Sequence, residues 1–451
     1  MSEGRLLEDP ALIRGLTQQR VTRRRFLHGA GIAASALAVS AALGACDRTG
    51  TDAVRTQMPV DWDAWWDQQR ITGVLDFANW PYYIDRTRDN SHPSLELFTK
   101  RTGIRVNYYR PIRDNARFVK SKIQPALGSG RPAGYDIIVI TNGPELSELF
   151  ERSWLIPLDH RRLPNFHTYA SPLIRNPPWD PGNRYTVAWQ SGLTGIAYRP
   201  EAVEALGRAP TSIQDMWAPA LAGRVGMLAD LLDLGSFGLL AMGVEPSEST
   251  ADEWDKAARL LVDQRRLGLV HGYFDQGYLS ALQRGETWIS QAWSGDIFQA
   301  NQLGHPELKF VVPDEGAMLW TDNMMIPILA RHPRDAVEYI NLVYDPFVAA
   351  MIANWVWYMT PVPSAQRIIA NRFDNEPVAN SPLVFPGEGL LGKQVTFQTR
   401  GSDGEWHTTS VLTGTRLKNY YLFRGAEERR EWERTFAPVV RITARSSPAQ
   451  E

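Results

Sequence analysis

The sequence predicts an α/β protein of two lobes, and three observations carry that prediction. Short apolar runs alternate with amphipathic ones along most of the chain. The 451 residues exceed the roughly 250–300 that one hydrophobic core serves. The composition, 43% hydrophobic and 22% charged, is that of a globular protein, neither disordered nor polytopic.

The elements follow in chain order. VLDFANW (74–80) reads as a strand, SLELFTKRTG (94–103) as a helix closed by Gly103, and IRVNYY (104–109) as the next strand, together a βαβ unit. YDIIVIT (135–141) is a continuous β-branched run, as expected of a parallel strand buried on both faces, and PELSELFER (144–152) is the helix after it. YTVAWQ (185–190) and TGIAYR (194–199) read as two further strands. Ser212 with Asp215, and Thr250 with Glu253, have capping-box spacing, and each opens a helix, the second running from about 252 to 267. KFVVP (309–313) and NMMIPI (323–328) supply more strands, and helices from about 335 to 357 break near Asp345-Pro346. QVTFQTRGSDGEWHTTSVL (394–412) alternates on both sides of Asp403-Gly404 and predicts a hairpin. The whole predicts two lobes, each with a parallel sheet.

The first 46 residues read as an address. TRRRFLHGAGIAASALAVSAALGAC (22–46) has a basic start, a short apolar stretch and small residues before the only cysteine of the chain. The apolar stretch, Gly29 to Leu43, is shorter than the roughly 20 residues a spanning helix needs. Arg23 and Arg24 resemble a twin-arginine export signal, and Leu43-Gly44-Ala45-Cys46 resembles a bacterial lipobox, with Cys46 as the lipidated residue. The expectation is a signal over 1–45, then a lipidated tether over 46–71 that carries Trp62, Trp65 and Trp66. The protein would sit on the outer face of the cytoplasmic membrane. One cysteine permits no internal disulfide, which suits export of a chain folded in a reducing compartment.

Charge and motif content exclude several classes. The 48 basic residues against 50 acidic leave no surplus with which to grip a polyanion, so nucleic acid is not the expected partner. Without residues 1–45 the balance is 42 against 47, mildly acidic. The eight histidines show no HExxH or paired spacing, no GxSxG occurs, and no cofactor, metal or catalytic residue is expected. The GxGxxG at Gly387–Gly392 leads into a predicted strand instead of a helix, and reads as a loop.

What remains is a set of aromatic and acidic residues at predicted strand ends. Asn79-Trp80-Pro81-Tyr82-Tyr83 follows the first strand, Asp230-Leu231-Leu232-Asp233 follows GRVGML, Trp293-Ser294-Gly295-Asp296 follows ETWISQA, and Trp320-Thr321-Asp322 opens another strand. Strand ends are where open α/β sheets bind ligands. Aromatic faces beside carboxylates are what a primary ammonium needs, the ring quadrupole contributing about 0.5–2 kcal/mol and the carboxylate accepting charged hydrogen bonds. Taken singly, each tryptophan also reads as core, and Asp230, Asp233 and Asp296 also read as helix caps.

At these positions the sequence resembles the spermidine/putrescine-binding proteins of bacterial polyamine ABC importers, over about Val74 to Gln366. The likeness lies in Asn79-Trp80 with Tyr83, Tyr135-Asp136, Ser212 to Trp217 before Gly223, Trp320-Thr321-Asp322, and Tyr358-Met359-Thr360-Pro361. The resemblance implies the type II periplasmic-binding-protein fold, two α/β lobes with a ligand cleft between them. It implies lobes at 72–190 with 321–367 and at 191–320 with 368–445, the hairpin 394–412 being an insertion. It implies a non-enzymatic, monomeric receptor that hands a polyamine to membrane permease subunits. Trp80, Tyr83, Trp293, Trp320 and Tyr358 would box the methylene chain. Asp322 and Asp233 would meet the ammonium groups, with Asp230 and Asp296 as further acids and Thr141 as a lining hydroxyl. Gly143 stands where spermidine binders carry an aromatic ring, Asp233 where glutamate is usual, and the family's late C-terminal ligand residue has no evident counterpart. Readings outside this one are another cationic solute in the same fold, an exported amine-acting enzyme, which would lack any visible cofactor ligands, and a structural lipoprotein.

Overall fold

The computed structural model describes residues 60–441 apart from 276, 388, 389, 391, 401–405 and 414. The export signal, Cys46, most of the tether, part of the GxGxxG segment and the Asp403-Gly404 turn lie outside the described residues. The chain divides into two units, Met1–Gln69 and Arg70–Glu451. The described part of the first unit holds one helix, α1 (Trp62–Gln68), whose N-cap Asp61 accepts from the Ala64 amide and whose Trp62, Trp65 and Trp66 rings pack edge to face. Among the described residues no single helix is long and apolar enough to cross a membrane.

In the second unit a βαβ start forms where the sequence places it: β1 (Val74–Ala78), α2 (Pro93–Thr102) and β2 (Arg105–Tyr109). Gly103 ends α2 in the left-handed conformation (φ 76°), which glycine adopts without a Cβ clash. β3 (Ile137–Thr141) is buried over Ile137, Ile138, Val139 and Ile140, and α3 (Pro144–Glu151) follows it. β1 pairs in parallel with both β2 and β3.

The predicted pair of strands 185–190 and 194–199 is one long strand, β4 (Thr186–Tyr198), buried along all but its last residue. The intervening Ser191, Gly192 and Leu193 are small or apolar and continue the pleat. On one side β4 pairs antiparallel with β7 (Ile289–Trp293), which with β5 (Val225–Leu228) and β6 (Val270–Phe274) forms a second parallel group. β8 (Lys309–Val311) also pairs with β4. β9 begins at Ala317 and runs to Met325, so Trp320 and Asp322 lie inside a strand and not at its opening. The order is β2-β1-β3-β9-β4-β7-β5-β6. Two parallel sheets were expected; one mixed sheet is found, joined by the antiparallel β9 and β4 that cross from one half to the other. β10 (Lys393–Arg400) and β11 (Trp406–Thr413) form the expected antiparallel hairpin apart from this sheet, and β12 (Leu417–Lys418) pairs with β9.

Helices cover the sheet. α4 (Leu231–Ala241) and α5 (Ala251–Arg266) pack together over the β5 side, and Thr250 with Glu253 forms the capping box read from the sequence. The Ser212–Asp215 box is also present, but it opens a short 3-10 turn instead of an α-helix. α6 (Tyr278–Gln283) and α7 (Ser294–Gln302) flank β7. α8 (Pro333–Val343) and α9 (Pro346–Val356) replace the interrupted helix, with Asp345 capping the second through Phe347 and Val348. α10 (Ala426–Arg441) lies against α5 and α4. Each half has its own core: Ile112, Ile123, Ile138, Ile140 and Leu149 in one, Met227, Phe237, Trp254, Leu261 and Phe436 in the other. At about 1.5–3 kcal/mol for each large apolar side chain buried, both cores are substantial.

Candidate functional site

The site is built where β9 and β4 pass between the halves. Asp322 faces Thr141 on β3 and Gln190 on β4 across the register, and Trp320 faces Gly192. Residues two apart on a strand share a face, so Trp320 and Asp322 point the same way. Gly192 makes this possible: a Cβ there would lie 2.2 Å from the Trp320 ring.

Thr141 donates to Asp322 Oδ1 at 2.6 Å and accepts from Asn115 Nδ2 at 2.9 Å. Tyr83, 7% exposed, is brought to the same carboxylate by the turn after β1. Its carbonyl accepts from Asn79 Nδ2 (3.3 Å) and Trp189 Nε1 (3.1 Å). Its hydroxyl faces Asp322 without a hydrogen bond of good geometry, and burial beside that charge raises the phenol's pKa. Trp80 packs against the core of the first half and donates from Nε1 to the Val139 carbonyl at 3.2 Å, so its polar edge is committed to the protein.

The rings form a connected wall. Tyr358 meets Tyr83 edge to face at 5.8 Å between centroids and Trp320 at 5.3 Å. Its hydroxyl donates to Asp296 Oδ1 at 2.9 Å, while Tyr278, absent from the sequence reading, donates to Asp296 Oδ2 at 2.8 Å. The Tyr278 oxygen also accepts the Trp293 amide at 3.1 Å, and the two rings stand edge to face. Trp293 Nε1 donates to Asp233 Oδ2 at 3.1 Å. Asp233 Oδ1 accepts from the hydroxyl of Tyr420, a buried residue beyond the hairpin. Tyr83, Trp320, Tyr358, Asp296, Trp293 and Asp233 therefore join one network of ring and hydrogen-bond contacts, with Thr141 and Asp322 as a separate hydrogen-bonded pair beside it.

Asp230 stands differently. It caps α4, accepting from Leu232 and Asp233 amides at 2.9 Å each, as the plainer reading of its position has it. Water reaches its carboxylate, yet the protein around it removes enough bulk solvent to raise its pKa against those two bonds. Leu232 in the same turn reaches Gly143: a Cβ on that glycine would sit 3.5 Å from Leu232 Cδ2. An aromatic ring at 143 would need that space, so the small residue and the leucine fit each other.

The electrostatics are those of buried acids. Burial pushes Asp322 up to about 6, opposed by its bond from Thr141. Burial, with the charge on Asp230 added, pushes Asp233 up to about 7, opposed by the donors Tyr420 and Trp293. Glu145, in the first turn of α3 and not foreseen, is pushed to about 7 by burial, with Asp230 and Asp114 as like charges. Among the described residues, neither Asp322 nor Asp233 pairs with a lysine or arginine. Buried polar atoms of Tyr83, Gln190, Thr194 and Trp320 have no hydrogen-bond partner in the protein. Two unpaired carboxylates between aromatic faces attract an organic cation.

Comparison with known proteins gives the family and the fold. The model of the bacterial extracellular solute-binding proteins matches residues 95–386, more than half of the chain. The spermidine/putrescine-binding periplasmic protein of Salmonella typhimurium is 26% identical over 349 residues, covering 77% of this chain and 90% of the relative. The putrescine-binding periplasmic protein SpuD of Pseudomonas aeruginosa is 27% identical, covering 72% and 86%. In three dimensions the spermidine/putrescine ABC transporter substrate-binding protein PotD of Streptococcus pneumoniae superposes with a TM-score of 0.64 at 21% identity, over 82% of this chain and 98% of that one. That likeness bears out the two-lobed periplasmic-binding fold. By the extent of the family match, the chain belongs to the bacterial extracellular solute-binding proteins.

Proposed function

We propose that this protein is the substrate-binding component of an ABC importer for polyamines, capturing putrescine or spermidine between its lobes and delivering it to membrane permease subunits. The observation that carries the reading is the pair Asp322 and Asp233, two buried carboxylates without a basic partner, set among Tyr83, Tyr358, Trp320 and Trp293. In this reading one ammonium meets Asp322 and another meets Asp233, with Asp296, Asp230 and Thr141 lining the path and Trp80 backing it. The relatives named for spermidine and putrescine binding support the ligand class.

Capture, not conversion, is the proposed task. A ligand shifts an open–closed equilibrium only through contacts it makes better in the closed form. Asp322 on β9 and Asp233 on α4 belong to different halves of the proposed arrangement, with residues 72–190 and 321–367 in one lobe and 191–320 and 368–445 in the other. Without a cation their charges oppose closure; a diammonium ligand reverses the sign. Export by the Arg23-Arg24 signal and anchoring through lipidated Cys46, as a monomer, complete the proposal.

Titrating purified protein with putrescine while following tryptophan fluorescence tests the reading. Trp293 and Trp320 lie at the site, so a saturable change in emission is expected. A flat response to putrescine and spermidine in folded protein would refute the polyamine assignment.

A further inference from the structure

A second group of donors converges near the opposite ends of β1 and β3 from the aromatic wall. One oxygen each from Asp76 and Asp136 and a ring nitrogen of His332 lie within 4.8 Å of one another. Asp76 is in β1, Asp136 directly precedes β3, and His332 is the N-cap residue of α8. Thr141 lies five residues along the strand from Asp136, about 16 Å away at the usual rise of β-structure. The group is therefore separate from the acids of the cleft.

All three side chains are held in place. Asp136, 1% exposed, accepts from the Arg331 and His332 amides through Oδ1 (2.9 and 2.8 Å) and from the Asp76 amide through Oδ2 (2.8 Å). Asp76 Oδ1 accepts from Asn107 Nδ2 at 2.9 Å and Tyr109 Oη at 3.2 Å. His332 Nδ1 is 2.7 Å from Thr72 Oγ1, and Thr72 in turn donates to Asp335 Oδ2 at 3.1 Å. An imidazole backed by a hydroxyl and then a carboxylate is the outer arrangement that orients a metal-binding histidine. Among the described residues no lysine or arginine forms an ion pair with Asp76 or Asp136.

We propose that Asp76, Asp136 and His332 bind one divalent transition-metal ion of the zinc or manganese kind, with water completing its shell. Two carboxylates attract any hard divalent cation; the imidazole shifts preference from calcium and magnesium toward first-row transition metals. Metal–ligand bonds of about 2.0–2.2 Å place donors roughly 3–4.4 Å apart, close to the 4.8 Å within which these three donor atoms lie. The ion would tie β1, the entry to β3 and the start of α8, three segments distant in sequence. Its role is that of a staple in one half of the fold, independent of the cleft.

The test uses untagged protein stripped with EDTA and dialysed, titrated calorimetrically with zinc chloride and, separately, manganese chloride, with retained metal counted by elemental analysis after gel filtration. Expected are one equivalent per chain, a micromolar or tighter dissociation constant for one of the two ions, and a Tm that rises with its concentration. His332→Ala and Asp76→Asn should each weaken binding at least tenfold, and Asp322→Asn should bind metal as the parent does. Should one of the first two variants fail to fold, the other decides. No retained metal in the parent, or parent-like affinity in a folded His332→Ala or Asp76→Asn protein, overturns the site. So does a metal affinity lost in Asp322→Asn, which would place the ion in the cleft.

Discussion

The Tyr358 hydroxyl donates to Asp296 Oδ1 at 2.9 Å, and the same ring lies directly over Gly295. Tyr358 follows α9, which packs on α2, whereas Asp296 is in the first turn of α7 against β4, β7 and β8. One hydrogen bond thus spans the two halves of the sheet. Gln299 Nε2 donating to the Val356 carbonyl at 3.2 Å, and Arg429 to Glu151 at 2.8 and 3.0 Å, span them as well.

The seat beneath that ring makes a first prediction. A Cβ at 295 would fall 2.2 Å from the Tyr358 ring, while alanine is otherwise the better helix former by about 1 kcal/mol. Gly295→Ala should keep the helix and displace the ring, weakening putrescine binding at least about tenfold in a calorimetric titration. Unchanged affinity would show that Tyr358 does not shape the site.

Asp322→Asn removes the charge but keeps the shape. We expect binding to fall at least about tenfold, because an ammonium loses its ionic partner. Thermal melts of the ligand-free protein at pH 8 should show the variant at least as stable as the parent, since a buried unpaired charge is gone.

The raised acids set a pH dependence with a definite sign. Asp322 near 6, Asp233 near 7 and Glu145 near 7 hold protons in the folded state that the unfolded chain has released. The folded protein therefore binds more protons over that window, and ligand-free stability falls as pH rises through about 4 to 7. Cation binding needs the ionised forms, so affinity should run the other way, at least about tenfold tighter at pH 8 than at pH 5. Melts and titrations at the two pH values measure both slopes; Asp322→Asn should flatten each.

Tyr278 supports two members of the wall at once. Tyr278→Phe leaves the half-buried Trp293 amide and Asp296 Oδ2 each without that partner, beside a ring that is itself fully buried. A loss of about 1–3 kcal/mol in denaturant unfolding is expected, with weaker putrescine binding alongside it.

Much of this was legible in the sequence because local rules governed it. The β-branched run before Thr141, Gly103 at a helix end and the Thr250–Glu253 box each depend on neighbouring residues, and each formed as read. The strand crossing at β4 and β9 was not legible, since small residues at Ser191-Gly192 look like a break until Trp320 is found packed on the glycine. The acids and rings were found by type and by their place near strand ends, yet their connections were hidden. Tyr278 reads as ordinary core, and Tyr420 contacts Asp233 across 187 positions. For the same reason histidine spacing could not point to His332, whose neighbours Asp76 and Asp136 are far away in the chain. Asp230 formed the helix cap that its position also allowed.

The most direct test of the polyamine reading is calorimetric titration of the purified protein with putrescine, spermidine and cadaverine at pH 8, beside the Asp322→Asn variant. Saturable micromolar or tighter binding of at least one of them, weakened at least tenfold in the variant, is the predicted result. Silence from all three in folded protein, or equal affinity in parent and variant, would contradict a cation held by the buried acids.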